Sequence, residues 1–90
     1  MKAAQRIKLF ENIYDRDGGC CVYCSKPARR PGRGVNRAHD VATLDHVVPR
    51  STGGPLTHAN LVLACSACNN ERGTMDAEAF RALKAMRRDG

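Results

Sequence analysis

Apolar side chains recur at helical spacing near both ends of the chain and cluster in short runs between them. Ala3, Ile7, Phe10 and Tyr14 share one stripe at i, i+4, i+7 and i+11, which predicts an amphipathic helix over 3–14. Asp15, Asp17, Gly18 and Gly19 end it. Val41 to Val48 is short and β-branched and predicts a strand stopped by Pro49. Residues 50–59 read as a loop broken by Gly53, Gly54 and Pro55, and Asn60 to Ala64 as a second short strand. A short helix over 66–72 is broken at Gly73. Met75 to Arg88 places Met75, Ala79, Ala82, Leu83 and Met86 on one face. Thr74 is the expected N-cap, with Asp76 and Glu78 in the first turn. The pattern describes a single domain over 1–90 with both helices and strands.

Composition sharpens this picture. Hydrophobic residues make up 42% of 90 positions, but 12 of them are Ala and five are Cys, with two Phe, two Tyr and no Trp. So thin a core in so small a domain calls for a staple: disulfides, a metal or a partner chain. No apolar run is long enough to span a membrane. The first residues, MKAAQRIKLFEN, lack the apolar stretch of a signal peptide. The expected location is therefore cytoplasmic, where thiols stay reduced, and the cysteines then point to metal rather than disulfides.

Two cysteine pairs fit that expectation. Cys21-Val22-Tyr23-Cys24 and Cys65-Ser66-Ala67-Cys68 are both C-x-x-C, separated by 40 residues. Each two-residue gap lets a tight turn aim two sulfurs at one ion, and two such turns complete a tetrahedral four-thiolate zinc site. The competing readings are a redox pair or unrelated buried thiols. Cys20 is left over, and its exchange with Cys21 as a ligand stays open at this point. A closed four-thiolate site has no free coordination position, so this zinc is structural.

The formal charge of +6 is unevenly placed, because residues 26–37 carry five basic side chains and no acid. That Pro/Gly/Arg-rich segment reads as a loop, either simply solvated or contacting phosphates through Arg29, Arg30, Arg33 and Arg37. A nucleic-acid partner fits that composition, and charge alone does not decide it.

A second constellation lies between the cysteine pairs. Asp45 and His46 adjoin in an otherwise apolar strand, and Asn69 directly follows Cys68. On their own, Asp45 and His46 also fit a structural ion pair. With Asn69 fixed by the zinc knuckle, Asp and Asn oxygens suit a hard divalent ion such as Mg²⁺. A neutral His beside that ion can take a proton from water. Strict alternation would put Asp45 and His46 on opposite faces, so a shared site requires the strand to leave regular geometry there. Arg50 and Arg72 are further candidates for phosphate contact, while His39 and His58 read as loop or surface residues.

The runs CVYC, LDHVVPRSTGG and THANLVLACSACNNERG together resemble the HNH endonuclease family in its four-cysteine, zinc-stabilised form, over roughly residues 16–73. The resemblance implies an α+β fold with a ββα-metal (His-Me finger) core: two short antiparallel strands, flanking helices and a four-cysteine zinc site. By position it makes His46 the general base and Asn60 the brace of the loop carrying that base. Asp45 and Asn69 become ligands of one catalytic divalent ion, Mg²⁺ or Mn²⁺. Asn69 stands where many members have His. The implied activity is hydrolysis of DNA, by nicking and with low sequence specificity. Two other readings remain beside it. One is a zinc-bound nucleic-acid-binding module without catalysis. The other is a small accessory subunit of a larger phage or mobile-element complex.

Overall fold

The computed structural model describes residues 3–32, 34 and 38–89. Among them the elements run α1 (Ala3–Arg16), β1 (Ala42–His46), 3-10 turns at Arg50–Thr52 and His58–Asn60, β2 (Leu61–Cys65), α2 (Ser66–Arg72) and α3 (Ala77–Asp89). The strands pair antiparallel, from Ala42 opposite Cys65 at one end to His46 opposite Leu61 at the other. The fold is α+β, with two antiparallel strands, flanking helices and four clustered cysteines.

Alternation along the strands sorts the core onto two faces. Ala42, Leu61 and Leu63 pack with Leu9 and Ile13 of α1 and with Ala28, and Leu44 joins them. Val62 and Ala64 face the other way, toward Cys21, Tyr23, Cys68 and Phe80 of α3. Tyr23 and Phe80 meet edge to face with centroids 5.0 Å apart. Burying each of Ile13, Leu61, Leu63 and Phe80 contributes about 1.5–3 kcal/mol.

The outer edge of β2 is covered, and that of β1 is bonded at Ala42 and His46, which matters because a bare two-stranded sheet is marginal. On the outer edge of β2, the Leu63 N–H donates to Asp17 Oδ2 (2.9 Å) and the Leu63 carbonyl accepts from Val22 N–H (3.0 Å). Arg16 Nη2 donates to the Leu61 carbonyl at 2.7 Å. Beside β1, the Ala42 N–H donates to the Arg29 carbonyl at 2.7 Å.

Several boundaries and faces differ from the sequence pattern. The seam of α1 runs through Leu9 and Ile13, while Ile7 is 64% exposed; of the predicted stripe, Phe10 and Tyr14 pack only partly. Strand β1 stops at His46, because the next two N–H groups, of Val47 and Val48, bond the backbone and side chain of Asn60 instead. Helix α3 starts at Ala77, and its cap is Asp76, whose carboxylate accepts from Ala79 N–H, not Thr74. Its buried face is Ala77 and Phe80; Met86 is 72% exposed. No helix is long and apolar enough to cross a membrane among the described residues.

Candidate functional site

The four paired cysteines converge. The ligand atoms of Cys21, Cys24, Cys65 and Cys68 all lie within 4.8 Å of one another, placed to bind one metal ion. Each C-x-x-C turn aims its sulfurs by accepting backbone N–H groups: Cys21 Sγ from Tyr23, and Cys65 Sγ from Cys68 at the start of α2. Cys20 lies outside the cluster, which leaves Cys21 in it. Burial pushes the Cys65 thiol up, and it pushes Cys68 further up with help from the neighbouring sulfurs. At Cys24 burial acts the same way but is outweighed by the Lys26 N–H and the other sulfurs, so that thiol falls below its ordinary value. Four thiols packed this closely resist full ionisation without a cation, and a dication relieves that repulsion.

The other end of the sheet carries Asp45, His46, Asn60 and Asn69. Asp45, on the fourth rung of β1, faces the cysteine side and is 6% exposed. Arg72 Nη1 donates to both of its oxygens, at 2.7 and 2.6 Å, and the Tyr23 hydroxyl donates to Oδ2. Burial, followed by this bond to Asp45, pushes the Tyr23 hydroxyl well above the ordinary phenol value. Arg72 is equally enclosed, at 5% exposure, and also donates to the carbonyls of His46, Val47 and Met75. The expectation that Arg72 meets phosphate is therefore corrected: its guanidinium is turned inward and holds the segment carrying His46. Tyr23, packed against Phe80, also holds Asp45. Nothing in the C-x-x-C pattern signals that bond.

His46 sits on the opposite face. Its Nε2 is buried and is the one such side-chain atom without a hydrogen-bond partner among the described residues. An orphaned buried nitrogen is costly unless water, a ligand or a substrate completes it. Asn60, 7% exposed, ties down the segment after it: Oδ1 accepts from Val48 N–H (2.8 Å), and Nδ2 donates to the carbonyls of Val48 and Pro55 (both 3.0 Å). The glycine pair completes this loop. Gly53 has φ +91°, and a Cβ on Gly54 would overlap the Val48 carbonyl. Asn69 Nδ2 donates to Thr43 Oγ1 at 3.0 Å, which leaves its amide oxygen as the remaining donor to a cation.

These residues share one hollow. A cavity of about 310 Å³ is lined by Asp45, His46, Pro49, Arg50, Asn69 and Arg72 among others. Asp45 and His46, the last two residues of β1, thus both line it from a strand that ends at His46. The donor set fits a divalent ion with little to spare. A carboxylate has about four acceptor positions; Arg72 and Tyr23 fill both on Oδ2 and one on Oδ1 of Asp45. One position on Oδ1 remains, and Asn69 lines the same hollow.

Two arginines of the basic loop have acidic partners. Arg29 pairs with Asp40 at 2.8 Å, and Arg30 pairs with Glu11 while stacking 4.2 Å over the Tyr14 ring. Arg33 and Arg37 lie outside the described residues. Arg50 is exposed at the hollow. His39 and His58 are exposed and outside the cysteine cluster.

A family model described as HNH endonuclease matches residues 21–74, more than half of the chain and inclusive of the cysteines, Asp45, His46, Asn60 and Asn69. Neither the curated proteins nor the solved structures yield a match.

Proposed function

The chain belongs to the HNH endonuclease family, and from that premise we propose that it is a metal-dependent DNA endonuclease whose cysteines hold a structural zinc. The buried, unpartnered Nε2 of His46 is the observation that carries this reading. A nitrogen without a hydrogen-bond partner, on a residue that lines a polar hollow, is suited to take a proton from an attacking water. Asn60 fixes the segment on which His46 rides, so the imidazole is held rather than searching. Asp45 and Asn69 would hold one divalent ion, Mg²⁺ or Mn²⁺. That ion supplies charge stabilisation to the phosphate and the departing oxygen. Arg72 offsets most of the charge on Asp45, so the hollow attracts an ion weakly until a phosphate joins it. Products with 5′-phosphate and 3′-hydroxyl ends, single-strand nicks and a cytoplasmic location are part of the same proposal.

The engagement of Asp45 by Arg72 favours a second reading, a zinc-bound nucleic-acid-binding module in which the pair is purely structural. Supercoiled plasmid with Mg²⁺ or Mn²⁺ separates the two, with and without EDTA and beside His46→Ala. Nicking that requires metal and disappears in His46→Ala supports the nuclease. Nicking that persists in that variant overturns His46 as the base, and no nicking with any divalent ion leaves the binding module.

A further inference from the structure

His46 stands at the junction of two hollows. Besides the polar one, it lines a cavity of about 470 Å³ between α1 and the loop after β1, together with Arg6, Leu9, Leu44, Arg50, Gly54 and Leu56. This second hollow contains no acid. Its floor is leucine, with Leu56 37% exposed, and its flanks are two exposed arginines. Most arginines of the described chain face acids: Arg16 meets Asp17, Arg29 meets Asp40, Arg30 meets Glu11, Arg72 meets Asp45 and Arg87 meets Glu71. Arg6 and Arg50 make no such pair among the described residues. The family match begins at residue 21, so it is silent on α1 and on what Arg6 and Leu9 do.

We infer that this hollow seats the nucleotide adjoining the cleaved phosphate of an unpaired DNA strand. Arg6 and Arg50 hold its phosphates, and Leu9, Leu44 and Leu56 lie against sugar and base. The inference rests on the nuclease reading for the position of the cleaved phosphate, and it adds strand type and a binding residue outside the matched region. The charge fits: a guanidinium donates paired hydrogen bonds to phosphate oxygens, and no carboxylate lines this hollow. The floor decides between strand types. A stacked duplex presents phosphates and groove edges, so its bases cannot reach an apolar pocket. An unstacked nucleotide can, as single-strand recognition generally requires. The cavity is sized for about one nucleotide.

The test is fluorescence anisotropy of a labelled DNA 12-mer, single-stranded or in duplex, with the zinc-loaded protein, no added divalent ion and a KCl series. The single strand should bind several-fold tighter than the duplex. Arg6→Ala should weaken single-strand binding by about fivefold and lower the salt slope by about 0.7. Arg87→Ala, which removes the same charge from α3, should change binding less than twofold. Leu56→Ala should narrow the preference for single strand while the salt slope stays unchanged. Equal effects of Arg6→Ala and Arg87→Ala overturn the inference, as does a duplex that binds at least as tightly as the single strand. Plasmid nicking with no Arg6 effect sinks this site and leaves the nuclease standing. Binding that depends on Arg6, with no nicking under any metal, sinks the nuclease and leaves a strand-binding site.

Discussion

The two ends of one short sheet have opposite chemistry. At the Ala42–Cys65 rung, four sulfurs are gathered within reach of one ion, and backbone N–H groups orient them. Four rungs away, at the His46–Leu61 pair, a buried nitrogen has no partner. Between them Asp45 is tied to the first knuckle through Tyr23 and to α2 through Arg72. Under the proposed function, the closed end stabilises the domain and the open end carries the chemistry, which places stability and reactivity at opposite ends of a strand of five residues.

Removing the metal is the most damaging way to test that segregation. Structural zinc contributes apparent binding energies of about 10–16 kcal/mol in zinc-finger peptides, against about 5–15 kcal/mol for the whole stability of an ordinary domain. Chelation, or Cys68→Ala, should therefore abolish cooperative unfolding by circular dichroism, and metal analysis of the purified chain should find one zinc. A metal-free protein that keeps its cooperative transition would break the comparison. Next in size is Arg72→Met, which strands the Asp45 carboxylate in the interior. Urea denaturation should show a loss of about 3–5 kcal/mol. Arg72→Met with Asp45→Leu should recover most of it, since no charge is then left without a partner. A single variant as stable as the parent would mean that Asp45 already reaches water.

Gly54→Ala tests the open end. Its Cβ would overlap the Val48 carbonyl, so the loop bracing His46 must move. Overpacking of this kind costs about 1–3 kcal/mol. Because the strain falls on the loop and not on the cysteines, nicking should fall further than the melting temperature. A variant that loses stability and keeps full activity would show that the loop does not position the base.

The pattern of apolar positions located the elements but not all of their faces. The strands were legible as short apolar runs and α2 by its break at Gly73, although β1 ends at His46, before Pro49. The seam of α1 was not, because Ile7 and Leu9 are equally apolar, and only the sheet beneath selects between them. Phe80 was missed in α3 because methionines suggested another stripe; one aromatic against Tyr23 outweighs both. The cysteine cluster was legible in the two C-x-x-C pairs, but the choice of Cys21 over Cys20 needed the fold. The destination of Arg72 was not: a guanidinium near a motif fits phosphate or a buried carboxylate equally well, and only three-dimensional enclosure decides. Part of the charge of the 26–37 loop is answered by Glu11 and Asp40, acids outside that segment, through Arg30 and Arg29.

A smaller effect should appear where α1 meets β2. Burial alone would raise the Asp17 carboxyl, but the Arg16 guanidinium and the Leu63 N–H hold it below the usual carboxylate value. A lowered folded value stabilises the protein at pH above the unfolded value, near 3.8, and that contribution is lost as pH falls through the folded value. Asp17→Asn should therefore be less stable than the parent at pH 6, with the two curves converging below pH 4 or so. A gap that stays constant with pH would assign the effect to lost geometry and not to charge.

The smallest change in stability should come from the residue whose loss changes function most. Replacing His46 with Leu removes a buried nitrogen that bonds nothing and puts apolar surface beside Leu9, Leu44 and Leu56. An unsatisfied buried polar group costs about 1–3 kcal/mol, so exchanging it for an apolar one is neutral to stabilising by about 1 kcal/mol. Metal-dependent nicking should vanish at the same time. The two readouts must diverge if the open end is kept reactive at the expense of stability. If His46→Leu instead destabilises the fold by as much as Arg72→Met does, the imidazole is a structural member of the core. The orphaned nitrogen would then lose its meaning as the centre of the site.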